Sequence, residues 1–197
     1  MTDPGPDAAQ APPRRVRADA RRNIDAVLEA AKAVFAAHGV DAPVREIAAK
    51  AGVGVGTLYR HFPQRADLVA AVFRHEVDAC ADAAPVFAAE HDPDEALSLW
   101  LQRFTGFIAT KRGLASALHS GDPTFDSLPQ YFESRFLPAL DALLDAAAAA
   151  GAIRADVDAR ELLNAISGLS MSEDPERPGQ SARMVALLVD GLRHRAR

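Results

Sequence analysis

The chain has 197 residues but only one cysteine, three lysines and twelve aromatic residues. A lone cysteine, Cys80, rules out an intramolecular disulfide framework and makes a reducing compartment the default. No run approaches the ~18 consecutive apolar residues of a membrane span, so no membrane partner is expected. Residues 1–25 carry arginines and prolines without an apolar stretch, which argues against a secretory leader and for the cytoplasm. Alternating strand patterns are missing as well. Lysine is scarce because arginine replaces it, 19 to 3, and alanine supplies 42 residues. Both biases mark GC-rich coding and say little about function.

Catalytic patterns are also lacking. No Ser/His/Asp spacing, phosphate-binding glycine loop or dinucleotide fingerprint stands out, so neither enzyme chemistry nor a cofactor is expected. His75-Glu76 opens like a zinc-protease HExxH, but Ala79 stands where the second histidine would be, so no metal is expected. Cys80 reads as a small buried hydrophobe.

The net charge of -5 argues, taken whole, against a basic nucleic-acid binder. Its distribution reverses that reading. Residues 14–74 hold 11 Lys/Arg against 6 Asp/Glu, whereas the remaining residues hold 11 against 21. A basic module is joined to an acidic one.

What is present is helical periodicity. Residues 1–13 are rich in proline and read as a disordered tail. Arg14, Arg15, Arg17, Arg21 and Arg22 follow, either as a solvated helix start or as an arm for phosphate or the minor groove. Ile24, Leu28, Ala31 and Phe35 form one apolar stripe, stopped by Gly39. Val44, Ile47, Ala48 and Ala51 form the next, opened by Pro43. Leu58 and Phe62 give a third, short helix its buried edge, and Pro63 ends it. A long helix is expected over about 64–84, with Pro85 ending or kinking it. Asp92 and Glu95 predict a capping box for the next helix, to about residue 113. A short helix at 114–119, a long one at 127–150 containing Pro138, one at 158–171 and one at 181–195 complete an all-α set of nine.

The informative segment is residues 43–62, PVREIAAKAGVGVGTLYRHF. It reads as helix, tight turn at Gly52, helix. Val53 and Leu58 plug a core. Val55, Gly56, Thr57, Tyr59, Arg60 and His61 are left facing outward. Small, polar and cationic residues on a two-turn helix suit a major groove, with flanking donors for phosphate. Tyr59 has a core alternative and Val55 a spacer alternative.

From Arg21 to Val69 the sequence resembles the DNA-binding region of the TetR (tetracycline-repressor-like) family of bacterial regulators. The string AGVGVGTLYRHFPQRADLV carries that resemblance nearly position by position. It implies a nine-helix TetR-like architecture: a disordered tail at 1–13, a helix-turn-helix domain at 14–65 and a helical ligand-binding and dimerisation domain at 66–197. By resemblance, Tyr59 and His61 contact the DNA backbone, and Val55, Gly56, Thr57 and Arg60 lie along the groove. Arg65 stands where the family commonly has a phosphate-binding lysine, and Arg45 reaches the backbone or a base edge. Two departures remove hydroxyl caps: Ala42 precedes the second helix and Gly54 the third. The implied partners are double-stranded DNA with a pseudo-palindromic operator, an unknown small-molecule effector and a second copy of the chain.

In the second half, Trp100, Phe104 and Phe107 share one helical face, and Phe132 and Phe136 share another. Such stripes are either core or the wall of an apolar pocket. Polar anchors for a pocket are His75, His119, Tyr131, Asn164 and Ser167. Leu162, Ile166 and Leu169, with Ala165 and Gly168, offer one face for dimerisation. Met184, Leu187, Leu188, Gly191 and Leu192 offer another, so the last two helices of each chain suit a four-helix bundle. Intrachain core is the other reading of both faces.

Overall fold

A computed structural model describes residues 13–171 and 179–193, with the side chains of residues 13–20, 171 and 181 excepted. The expected tail at 1–12, most of the loop at 172–180, and the side chains of Arg14, Arg15 and Arg17 lie outside the described residues.

Helix α1 spans Pro13–His38 and begins on a proline, whose missing N–H costs nothing in a first turn. Its start precedes the residue 19 expected from periodicity, because residues 14–18 lack the apolar repeat that marks a buried helix. Val27, Leu28, Ala31, Val34 and Phe35 form its buried stripe. Helix α2 is Val44–Ala51 and helix α3 is Val55–His61. The turn between them needs Gly52, whose φ of 69° is left-handed. Gly52 and Val53 donate their N–H groups to Ala49 and Ala48, closing the end of α2 at 3.2 and 3.0 Å.

Helix α4 is Arg65–Ala81 and helix α5 is Ala83–Glu90. The break falls at Asp82 rather than at Pro85. Pro85 has no N–H for the carbonyl of Ala81, four residues earlier, so the ladder must fail there. The chain then restarts, with Pro85 tolerated in the first turn of α5. Counted with α4 as one broken helix, α5 leaves nine α-helices among the described residues.

Helix α6 is Pro93–Gly113, with Asp92 at its N-cap position. The expected capping box does not form there. The Asp92 side chain caps nothing, and Glu95 turns back to His91, 3.3 Å away. At residues 158–161 half of a capping box forms, with Asp158 accepting from the Glu161 N–H at 2.8 Å. Helix α7 is Ala115–Leu118, followed by a 3₁₀ turn at Pro123–Phe125. Helix α8 is Leu128–Ala149 and runs through Pro138. Helices α9, Ala159–Met171, and α10, Gln180–Leu192, end the described chain.

Helix α4 joins the two ends of the fold. It packs on α1 on one side and on α6 and α8 on the other. Its Leu68, Val69, Val72, Phe73, Val77 and Cys80 are all buried. Burial pushes the Cys80 thiol up to about 12, so it stays protonated and unreactive. Trp100, Phe104 and Phe136 are fully buried beside it. Trp100 donates its indole N–H to the Cys80 carbonyl at 3.0 Å, fixing α6 against α4. Phe104 stacks on Trp100 with centroids 5.7 Å apart and meets Phe136 edge-on at 5.2 Å. Phe132 and Phe136 close the cluster at 4.7 Å. None of the helices described is long and apolar enough to cross a membrane.

The Phe104→Ala variant empties the middle of this cluster and is expected to lose about 3–5 kcal/mol of stability. Urea denaturation followed by tryptophan fluorescence measures it, since Trp100 reports on the same site.

Candidate nucleic-acid interface

The geometry of α2–α3 follows from which residues it can bury. Ile47, Ala48 and Leu58 are buried, so the opposite sides of both helices face solvent. Val55 and Tyr59, four residues apart on one side of α3, are 40% and 50% exposed. Leu58 fills the inner edge that Tyr59 would otherwise occupy. The core alternative for Tyr59 therefore fails on burial. Gly54, Gly56, Arg60 and His61 are exposed beside it, Thr57 is half-buried, and Arg45 is exposed on α2. Neither Pro43 nor Gly54 makes a side-chain cap, as the missing hydroxyls require.

Arg65 has a role that the sequence did not reveal. Its guanidinium donates to the backbone carbonyls of Val40 and Ala42, at 2.9 Å in the second case. The side chain is half-buried and ties the start of α4 to the loop that leads into α2. No spacing rule links residues 23 and 25 positions apart, so only the fold could show it. The N–H of Gln64 is accepted by Asp67 at 2.9 Å, which orders the same turn.

Two contacts between ionisable side chains join α1 to α4. Lys32 lies 2.7 Å from Glu76, a largely buried carboxylate, and His75 lies 3.1 Å from Glu29. Glu29, His75 and Glu76 bring their ligand-type atoms within 4.8 Å of one another, with the Lys32 ammonium already on Glu76. A cleft of about 380 Å³ between α1, α4 and α6 runs past these groups to Cys80 and Phe107.

The ten residues considered for a ligand chamber are not gathered into one. Trp100, Phe104 and Phe136 are solid core. Phe132 and His119 line a separate cleft of about 270 Å³, between α4, α6, α7 and α8. The His119 ring is also held by the Ala115 carbonyl, 2.8 Å from Nδ1. The Tyr131 hydroxyl donates to Asp78 at 2.7 Å, and Arg135 holds the same carboxylate at 2.7 Å. Burial, then the bond to Asp78, raises the Tyr131 pKa. His75 faces α1, while Asn164 and Ser167 sit on α9, exposed and half-buried. A third cleft, of about 400 Å³, opens between α6 and α10.

Two family models match separate parts of the chain. Residues 27–72 match bacterial regulatory proteins of the tetR family. Residues 92–194 match the C-terminal domain of SbtR-like transcriptional regulators. A TetR transcriptional regulator from Streptomyces coelicolor has 42% identity, covering 88% of this chain and 99% of its own, with a TM-score of 0.76. A TetR regulator from Mycobacterium vanbaalenii has 39% identity, 91% and 99% coverage, and a TM-score of 0.73. Among curated relatives, a helix-turn-helix transcriptional regulator of Staphylococcus aureus is 38% identical over 64 residues. That match spans 32% of this chain and only 35% of the relative.

The structural role of Arg65 is open to measurement. Arg65→Met strips two carbonyls of their donor and is expected to lower stability by about 1–3 kcal/mol. Thermal denaturation without DNA decides it, since a residue that only touched phosphate would leave the melting point unchanged. Together, the family matches and the two close structures show that this chain belongs to the TetR family of DNA-binding transcriptional regulators, not to a family of enzymes.

Proposed function

We propose that the chain is a homodimeric repressor that reads a pseudo-palindromic operator through α3 and leaves it when a small molecule binds. In this reading residues 14–65 form the DNA-binding domain and residues 66–197 the regulatory one, acting in the cytoplasm. The observation that carries it is the exposed face of α3. Val55 and Tyr59 stand in water beside Gly54 and Gly56, over a fully buried Leu58. Glycines there let the helix approach base edges closely. Tyr59, Arg60 and His61 then meet backbone or bases, with Arg45 flanking them on α2. Recognition helices of such dimers lie about 34–36 Å apart, one turn of DNA.

Dimerisation is supported by α9 and α10. Leu162 and Ile166, counted from sequence toward an intermolecular face, are buried within their own chain. Met184 and Leu187 are 38% and 63% exposed, with Gly191 on the same side of α10. Ala165 and Gly168 are exposed on α9. Small residues beside large exposed apolar ones suit close helix packing between copies.

The filled aromatic cluster favours a second reading, a DNA-binding regulator with no small-molecule effector. Against it stand the flanking clefts of about 270–400 Å³, close to the lower range of ligand pockets, roughly 300–1,000 Å³. A thermal-shift screen of hydrophobic metabolites, repeated as operator release, separates the two.

Fluorescence anisotropy with DNA from the upstream region of its own gene should show binding that weakens steeply with salt. Tyr59→Ala should cost about five- to tenfold in affinity, and Arg60→Ala should reduce the salt slope by about one if it grips phosphate. Unchanged affinity in both would sink the docking. Leu187→Glu should convert the dimer to a helical monomer in sedimentation velocity. A variant that stays dimeric places the interface elsewhere.

A further inference from the structure

We infer that the cleft between α4, α6, α7 and α8 is a site for a small amphiphilic organic acid, whose carboxylate pairs with Lys111 while its apolar body lies on Phe73, Leu128 and Phe132. This rests on the ligand-responsive reading and names the ligand's chemical class.

Lys111 is the observation that needs an explanation. It is one of three lysines in a chain that otherwise uses arginine. Its ammonium is half-buried on a largely apolar wall, and it forms no ion pair among the described residues. The nearest compensation is the ring of Phe132, whose centroid lies 5.5 Å from Nζ. A cation over an aromatic face regains only part of its lost hydration. Burial lowers the Lys111 pKa accordingly, with no carboxylate acting against it. Charged groups withdrawn from water are normally paired.

Glu133 lines the same cleft and is the natural candidate for an internal partner. It is committed elsewhere, to Arg160 at 2.6 Å. The neighbouring Arg112 donates to the Ser170 carbonyl at 3.1 Å, away from the cleft. Among the described residues, one cation therefore faces the space without an anion of its own. A single positive charge matches a monoanion, since a dianion would leave one charge uncompensated. Phe73, Leu118, Phe125, Leu128 and Phe132 supply the apolar lining. At about 270 Å³ the cleft takes a short alkyl or aryl acid rather than a large drug.

The position also suits regulation. Phe73 stands on α4, eight residues after Arg65, which holds the loop before α2. Eight residues of helix span about 12 Å. A molecule wedged against Phe73 thus presses on the helix that carries that tie.

Octanoate and 1-octanol are the test probes, measured by calorimetry on the full chain. Octanoate should bind at least about tenfold more tightly than octanol, reflecting one charge-assisted bond. Lys111→Met should remove that preference, and Lys111→Arg should keep most of it. Lys111→Glu should reverse it, favouring octylammonium over octanoate. The charge reversal keeps the test decisive even if one variant is poorly folded. Octanoate that fails to bind, or binds equally to Lys111→Met, overturns the inference. If octanol alone releases operator DNA, the organic-acid class falls while ligand response stands. If octanoate binds through Lys111 without releasing DNA, the site stands and ligand release falls.

Discussion

Helix α4 is buried on more sides than one helix in a small bundle usually is, and that burial constrains everything attached to it. Leu68, Val69, Val72, Phe73, Val77 and Cys80 are all buried, and α4 packs on α1, α6 and α8. Packed interiors behave as close-packed solids, so such a helix moves with its neighbours or not at all. Its first residue, Arg65, grips the chain entering α2. Its last turn presents the Cys80 carbonyl to Trp100. One rigid element therefore touches both the loop leading into α2 and the aromatic core. A shift at its middle, where Phe73 lies, has nowhere to dissipate before it reaches Arg65.

Charge works differently at two adjacent positions of that helix, His75 and Glu76. The His75–Glu29 contact is partly exposed and contributes about 0–1 kcal/mol at most. Glu76 is another matter, because it is largely buried and Lys32 is the cation upon it. Apolar burial holds α1 to α4, whereas this pair fixes their register, since a slip of one turn would strand a buried carboxylate. Residues 14–74, which include α3, carry the net positive charge, and the acidic remainder disfavours DNA elsewhere on the chain.

Much of this was legible beforehand, for identifiable reasons. Apolar stripes located the helices because only a buried face constrains residue choice, which is also why the start of α1 at Pro13, ahead of any apolar repeat, lay outside the expected helix. Gly52 marked its turn because no other residue adopts φ 69° cheaply. Tyr59 and Val55 could be read as outward because Leu58 and Phe62 already claimed the inner edge. Side-chain pairing was not legible. Glu95 matched a capping-box spacing yet turned to His91, since two partners competed and spacing cannot rank them. Arg65 was a phosphate contact by resemblance, and Lys111 had no role assigned, so neither could be read as a cation held by packing. Their roles depend on residues 20 or more positions away, which only tertiary packing brings near.

In the proposed ligand response, the magnitude required shows which part of the ligand must do the switching. Inverting operator occupancy from 99:1 to 1:99 needs a difference of about 5.5 kcal/mol between the two conformers' ligand affinities. A charge-assisted bond to Lys111 is worth about 1.5–3 kcal/mol, and much of it is made in either conformer. The head group therefore anchors and selects but cannot release DNA by itself. The rest must come from the apolar body, at about 0.8 kcal/mol for each methylene buried in one conformer and not the other. Phe73 is the cleft wall that belongs to α4, so the ligand atoms resting on it are those whose burial changes when α4 moves. Specificity for the acid and power to switch thus reside in different walls of the same cleft, Lys111 on α6 and Phe73 on α4.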